Sequence, residues 1–286
     1  MKQTVWTIKG GRVIGPAPFF IAGIVNVTPD SFYDGGRSAV AESAVAHGER
    51  LATEGAHILD VGGESTRPYS DRVETDQELA RVIPVIRGLA GRTMAGPEGD
   101  FTPIISVDTY KAEVAARSLE AGADIVNDVS AFEFDPELLD VLAQYKPGYV
   151  LMHSLGRPEE MQDAPAYDDP VDEIISFFEK KLTILDKAGV PFDRIVLDPG
   201  IGFGKLLEHN LAILADTERF LKLGLPVYMG LSNKSLWQGL LGLDVDERQN
   251  ATQAGTAVTA MKGAAIHRVH EVAAARQTLT IVHALT

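Results

Sequence analysis

Eight short apolar runs recur along the chain: Phe20–Val25, His57–Val61, Ile104–Val107, Ile125–Asn127, Tyr149–Met152, Arg194–Leu197, Pro226–Met229 and Ala264–Val269. Each is nearly unbroken and rich in Ile and Val, the pattern of strands covered on both faces. Amphipathic stretches separate them. Ala39–Glu54 stops at Gly55, Val171–Ala188 at Gly189 and Asn210–Leu223 at Gly224, glycines suited to the left-handed residue that closes a helix. Thr75–Leu89, Arg248–Lys262 and Glu271–Ala284 supply further helices. Asp135-Pro136 sets a capping side chain before a proline at the first position of another.

Strands that alternate with helices predict βαβ units and a parallel sheet. Eight such repeats within 286 residues suit a closed α/β barrel, the (β/α)8 TIM barrel, better than a doubly wound sheet. No long linker divides the chain, and Arg92–Phe101 has only the size of a loop. The pattern therefore predicts a single domain: a barrel over residues 19–286, preceded by a short N-terminal extension, residues 1–18, with the form of a hairpin across the barrel floor.

Charge narrows the partners. Lys and Arg number 26 against 40 Asp and Glu, a net charge of −14 that argues against nucleic acid and anionic membranes. The chain has no cysteine, which excludes disulfides, thiolate catalysis and Cys-bound metals. No apolar run approaches a membrane span and the N-terminus has no signal-peptide pattern, so a cytoplasmic location is expected.

The chemistry concentrates where the apolar runs stop. The first runs into Asn26-Val27-Thr28-Pro29-Asp30-Ser31-Phe32, the second into Gly62-Gly63-Glu64-Ser65-Thr66-Arg67-Pro68. The third ends at Asp108, the fourth at Asn127-Asp128, the fifth at His153 and the sixth at Asp198. The seventh leads to Ser232-Asn233-Lys234-Ser235 and the eighth to Arg268-Val269-His270. A single Asp or Asn after a strand is often only a turn or a cap. Caps alone would not also collect Lys, Arg and His at that face, which is where barrels of this kind carry their active sites.

Asp108 and Asp198 offer acceptors and Asn127 both a donor and an acceptor, a set matched to the edge of an aminopyrimidinone heterocycle. Lys234 supplies a donor for its carbonyl or imine nitrogen. Arg67, Arg268 and His270 gather the cationic groups that a diphosphate or carboxylate requires. Gly200-Ile201-Gly202-Phe203-Gly204-Lys205 matches neither a P-loop nor a dinucleotide fingerprint, and reads equally as a phosphate cradle or a turn that lets backbone approach a ligand. No histidine pairing suggests zinc or iron, whereas a diphosphate would bring Mg²⁺, to which Asn26 offers one oxygen.

Five segments together resemble the dihydropteroate synthases, pterin-binding TIM-barrel enzymes. They are Asn26–Phe32, Asp60–Pro68, Ser106-Val107-Asp108-Thr109, Leu197–Lys205 and Arg268-Val269-His270, in order and at barrel-like spacing from about Ile21 to the C-terminus. The resemblance implies a transferase of folate biosynthesis that condenses (7,8-dihydropterin-6-yl)methyl diphosphate with 4-aminobenzoate, giving 7,8-dihydropteroate and diphosphate. It implies Mg²⁺ and a homodimer, for which the late helices are candidate surfaces. Carried over by position, it implies pterin contacts at Asp108, Asn127, Asp198 and Lys234. Diphosphate and Mg²⁺ contacts fall at Asn26, Thr66, Arg67, Arg268 and His270, and aminobenzoate contacts at Thr66, Pro68, Phe203, Lys234 and Ser235. Arg268 is also expected against the pterin face. The catalytic set would be Asp108, Arg67, Lys234, Arg268 and His270.

The sequence departs from the family pattern at Asn233, where Arg is frequent, and at Tyr33 and Tyr69 in the mouth loops. Those loops, Asp30–Arg37 and Ser65–Thr75, carry glycines and polar residues and read either as lids or as ordinary surface. Two rivals share the pterin edge: a barrel that passes a methyl group from methyltetrahydrofolate to a corrinoid, and one that binds pterin without catalysis. Neither needs Ser65-Thr66-Arg67-Pro68 together with Lys234, Arg268 and His270.

Overall fold

The computed structural model describes residues 1–27, 37–65, 70–157, 161–163 and 165–286. The chain opens with an antiparallel hairpin, β1 (Thr4–Thr7) and β2 (Val13–Ala17). Next come β3 (Phe20–Asn26), α1 (Arg37–Glu54), β4 (Ile58–Gly62) and α2 (Thr75–Leu89). A second small hairpin, β5 (Met94–Gly96) and β6 (Gly99–Phe101), precedes β7 (Ile104–Asp108), α3 (Ala112–Ala121), β8 (Ile125–Asp128) and α4 (Leu138–Tyr145). The remainder is β9 (Gly148–Met152), α5 (Pro170–Lys187), β10 (Ile195–Asp198), α6 (Leu207–Ala215), β11 (Val227–Gly230), α7 (Leu236–Leu241), α8 (Gln249–Met261), β12 (Ala264–Val269) and α9 (Val272–Leu285).

Eight strands close into a barrel in the order β3-β4-β7-β8-β9-β10-β11-β12, with every neighbouring pair parallel. This is the (β/α)8 barrel that the alternation of apolar runs and helices predicts. No helix among the described residues is long and apolar enough to cross a membrane.

Three apolar clusters divide the work of holding it. The largest lies between strands and helices, where Leu59, Ile105, Leu151 and Leu197 meet Leu51, Ile86, Leu119 and Leu279. A second fills the lower interior: Ile58, Ile104, Ile125, Val196 and Ile266 pack under Trp6, Ile8 and Ile14 of the N-terminal segment. Trp6 is almost wholly buried, and its indole N–H donates to the Arg194 carbonyl at 2.7 Å. The hairpin thus stoppers one end of the barrel with apolar side chains, which leaves the opposite, C-terminal end as the open one. There the third cluster, Tyr110, Val129, Met152, Met161 and Phe203, forms an apolar wall beside polar strand ends.

The strands fall within one or two residues of the apolar runs. Elsewhere the tertiary structure overrides the pattern. The single helix expected over 210–223 is broken into α6 and a 3-10 segment, Thr217–Leu223, and the Thr217 hydroxyl bonds back to the Ile213 and Leu214 carbonyls at the break. Gly224 then takes φ 74°, the left-handed stop expected of it. The stretch expected to be a plain loop, 92–101, contains the β5–β6 hairpin. Asp135 serves two helix starts: Oδ1 accepts the Glu137 N–H at 3.2 Å at the entry to α4, which begins at Leu138, and Oδ2 accepts the Ala112 N–H at the start of α3 at 2.7 Å. Two helices escape the hydrophobic pattern, α3 because its buried face is partly alanine and serine, and α7 because six residues are too few for a period.

Candidate active site

The open end of the barrel holds a cavity of about 610 Å³, within the usual range for a small-molecule site. Strand register builds it. Asp108 at the end of β7 pairs with Asn127 on β8 and with Gly62 on β4. Asp108 and Asn127 therefore occupy one rung on adjacent strands, and Gly62 adds no side chain to crowd them. Asp198 ends β10 and lines the same space, with Arg268 of β12 opposite Gly230 of β11. Asn26 at the end of β3, and Lys234, Ser235 and His270 just past their strands, line it too, together with Phe203.

So the structure brings Asn26, Asp108, Asn127, Asp198, Phe203, Lys234, Ser235, Arg268 and His270 around one cavity, as the sequence positions predicted. Thr66, Arg67 and Pro68 lie outside the described residues, as do Tyr33, Tyr69 and most of the Asp30–Arg37 loop.

Electrostatics in this cavity are set by burial. Asp108 is 7% exposed, and its Oδ2 accepts from the Arg268 guanidinium at 2.7 Å. Burial pushes its carboxyl up to about 7, against the pull of Arg268 and Lys234 and with the push of Asp60 and Glu78. Asp198 is pushed up to about 6 by burial, opposed by the Gly200 N–H, which it accepts at 2.8 Å, and by Lys234, Lys205 and Arg268. Burial also lowers Lys234 to about 8, although Asp198 and Asp108 favour its charge. Its ammonium sits 4.2 Å from the centre of the Phe203 ring, a cation–π contact that fixes the side chain across the cavity. Burial alone would lower Arg268, but the Asp60 and Asp108 carboxylates more than offset this and hold it above its ordinary range.

His270 is oriented by Ser232. The Ser232 Oγ accepts the His270 backbone N–H at 3.2 Å and lies 2.9 Å from Nδ1, so a hydroxyl donating to Nδ1 leaves Nε2–H as a donor. Asn26 is half-buried at the mouth and offers one neutral oxygen. No cluster of three or more His, Asp or Glu able to hold a metal occurs among the described residues.

The glycine loop after β10 owes its path to its backbone. Gly200, Gly202 and Gly204 all have positive φ, and a Cβ on Gly200 would stand 1.9 Å from the His153 carbonyl oxygen. Only glycine lets the loop lie on strand β9's exit. Lys205 locks it there, donating to the Phe203 carbonyl at 2.9 Å and to the His153 ring and carbonyl at 3.0 and 3.3 Å. His153 is accordingly not a cavity residue; burial and then Lys205 push its imidazole down to about 2, so it is a neutral acceptor.

Some strand ends carry structure instead of chemistry. Asp128, next to Asn127, is fully buried and accepts from the Ser130 N–H and hydroxyl, the Phe132 N–H and the Tyr149 hydroxyl at 2.6–2.8 Å. It is the turn-former that a lone Asp after a strand usually is. Conversely, three polar groups, one lining the cavity and two packed behind it, were not singled out from sequence. Asp60 sits inside β4, and a charge within an apolar strand is itself the missed signal. Arg248 lines the cavity from a position remote in sequence and donates to the Asn233 carbonyl at 3.0 Å. Lys111 is buried between Glu64 and Glu78, 2.5 Å from each. Asn233 itself adopts φ 57°, a left-handed backbone that Asn tolerates better than most side chains.

The chain is similar to several known proteins. The family model for pterin binding enzyme matches residues 22–270. The dihydropteroate synthase of Escherichia coli K12 is 40% identical over 264 residues, covering 92% of this chain and 90% of its own. A probable bifunctional folylpolyglutamate synthase/dihydropteroate synthase of Haloferax volcanii is 41% identical over 88% of this chain, which spans 29% of that longer protein. The Xanthomonas albilineans dihydropteroate synthase, solved in complex with 7,8-dihydropteroate, superposes with a TM-score of 0.85 at 39% identity, covering 97% of this chain and 98% of its own.

Proposed function

The chain belongs to the dihydropteroate synthase family of pterin-binding enzymes, and from that premise we propose how its barrel mouth joins (7,8-dihydropterin-6-yl)methyl diphosphate to 4-aminobenzoate. The observation that carries the reading is the rung of Asp108 and Asn127 facing Asp198 and Lys234 across one cavity. Buried acceptors opposite a half-buried cation match the N–H and carbonyl edge of a pterin, and a ligand that lacked those groups would leave them unpaired.

In this reading Asp108, Asn127, Asp198 and Lys234 hold the pterin edge. Arg268, His270 through Nε2–H, and Thr66 and Arg67 of the second mouth loop receive the diphosphate. The methylene–oxygen bond breaks, the electron pair leaves with the diphosphate, and positive charge develops at the methylene and spreads into the ring. The Asp108 carboxylate stabilises that charge from a site where it cannot be screened by bulk water. Phe203, Pro68, Thr66 and Ser235 hold the aminobenzoate so that its amine meets the methylene, a gain in positioning. The C–N bond forms, and the arylammonium proton passes to water or to diphosphate.

Mg²⁺ belongs to the proposal as an ion that travels with the diphosphate. A single neutral oxygen at Asn26, with no acidic cluster among the described residues, fits an ion that keeps its waters and takes phosphate oxygens. When bound it neutralises charge on the leaving group. The decisive assay is diphosphate release that depends on 4-aminobenzoate. We expect turnover with Mg²⁺ and its loss with a chelator; a flat trace from folded protein overturns the reading.

The proposal places the reaction in the cytoplasm and the working enzyme as a homodimer. An apolar crevice lined by Leu214, Trp237, Ala254 and Val258 opens on the outer surface near α7 and α8, and Leu241 and Met261 on those helices are more than half exposed. Exposed apolar side chains on these two helices support that face as the association surface. Light scattering is expected to give twice the 30.8 kDa chain mass, and Met261→Glu to shift it toward one chain. A wild-type chain that stays single at micromolar concentration counts against the dimer.

A further inference from the structure

We propose that Asp60, which does not line the cavity, is a positioning residue for pterin recognition, acting through the two cavity side chains it holds. The inference rests on the pterin reading of the site. Asp60 stands on β4 two residues before Gly62, the register partner of Asp108, so its side chain shares the interior face one layer deeper. It is fully buried. Its Oδ2 accepts two bonds, from Arg268 Nε at 2.6 Å and from Asn127 Nδ2 at 3.0 Å. Around the barrel, β12 and β8 each lie two strands from β4, on opposite sides. One carboxylate oxygen therefore ties together donors from both flanks of the site.

Each bond decides what a ligand meets. With Nδ2 committed to Asp60, Asn127 turns its amide oxygen to the cavity, an acceptor for a ring N–H. Reversed, the amide would present a donor there and reject the same edge. Arg268 is held as a fork, Nε on Asp60 and the terminal nitrogen on Asp108 at 2.7 Å, which fixes its plane across the cavity floor. Without Asp60 the guanidinium would keep one anchor and swing on it. Two carboxylates also share this one cation, which leaves the group with a surplus of acceptor oxygens. Oδ1 of Asp60 and Oδ1 of Asp108 are both buried without a hydrogen-bond partner among the described residues. That surplus favours a ligand rich in N–H donors over a neutral acceptor ring.

The test compares wild type, Asp60→Asn, Arg268→Gln and the double variant for KM of both substrates, for pterin affinity by calorimetry, and for thermal unfolding. Wild-type turnover, measured first, tests the enzymatic reading separately from any ratio between variants. Asparagine at 60 keeps the shape and can set one neutral oxygen before both donors, so what it removes is the negative charge that strengthens both bonds. The expected result is a roughly 10- to 50-fold loss of pterin affinity, the scale of one charge-assisted bond, with KM for 4-aminobenzoate changed less than about twofold. In the Arg268→Gln background the same change should cost about threefold or less, because its charged partner is gone and only the neutral Asn127 bond remains to be weakened. Pterin affinity within twofold of wild type in Asp60→Asn overturns the proposal, as do losses that multiply fully in the double variant. Should Asp60→Asn fail to fold, the neutral double variant decides. Affinity matching Arg268→Gln supports the proposal, and a further tenfold loss or failure of the pair to fold overturns it.

Discussion

Asp108→Asn should lower kcat by about 10²–10³, a loss on the order of 3–4 kcal/mol of transition-state stabilisation. The substitution keeps the side chain's shape and an acceptor for Arg268, so it removes little except the negative charge. That charge lies in a site 7% exposed, where Coulomb energies are several times those in water. The pH profile carries the same prediction. The groups that face Asp108 are Arg268, Asp60, Glu78 and Lys234, and together with burial they leave its carboxyl at about 7. Lys234 is lowered by burial to about 8. Activity needs the first ionised and the second protonated, so kcat/KM for the pterin diphosphate should rise as pH climbs through about 7 and fall above about 8. In Asp108→Asn the limb near 7 should vanish and leave a limb near 6, where burial has pushed Asp198. Steady-state kinetics from pH 5 to 9.5 decide this. An unchanged acid limb or full turnover in the variant excludes the cation-stabilising role.

Lys111→Met should be the most damaging single change to stability among the buried charges. Lys111 is 3% exposed and donates to Glu64 Oε2 and Glu78 Oε2, each at 2.5 Å, and to the Val73 carbonyl at 2.6 Å. Glu64 closes the segment after β4 and Val73 leads into α2, so one ammonium clasps both described ends of the second mouth loop. The Tyr110 hydroxyl adds a bond to Glu64 Oε1 at 2.8 Å. Removing the cation leaves two buried carboxylates face to face, a loss of about 3–5 kcal/mol, on the order of 10 °C in Tm for a chain this long. The sign of its pH dependence follows from Glu78, whose carboxyl burial already raises, with Lys111 opposing. A carboxyl raised in the folded state holds its proton there to higher pH than in the unfolded chain. Stability therefore falls as pH rises through that interval, and more steeply without Lys111. The variant should melt lowest above neutral pH and recover in part near pH 5, and Glu78→Gln should rescue it. A melting curve unshifted by Lys111→Met, or one worse at pH 5 than at pH 8, contradicts this account.

Much of the molecule was legible from its amino acids. Repeated apolar runs with helices between them specify a closed parallel barrel, because strands covered on both faces leave no polar side to expose. The strand-end residues Asn26, Asp108, Asn127, Asp198, Lys234, Arg268 and His270 were legible for a related reason. Parallel strands all deliver their C-terminal residues to one face, so sequence position alone fixes the end of the barrel at which a side chain appears. What sequence could not fix was the partner of each group. Asp128 and Asp198 look alike on the chain, yet one closes a turn and the other faces the cavity. His153 looked like a strand-end ligand and is instead the neutral acceptor for Lys205. Asp135 accepts at the entry to its own helix and also caps the helix before it, across a contact between residues 23 apart. The fork that joins Asp60 to Arg268 spans 208 residues. Local pattern sets which element forms and where it ends, because propensity and period act over a few residues. Partnership, protonation and side-chain direction are decided by register and burial, which exist only once the barrel has closed.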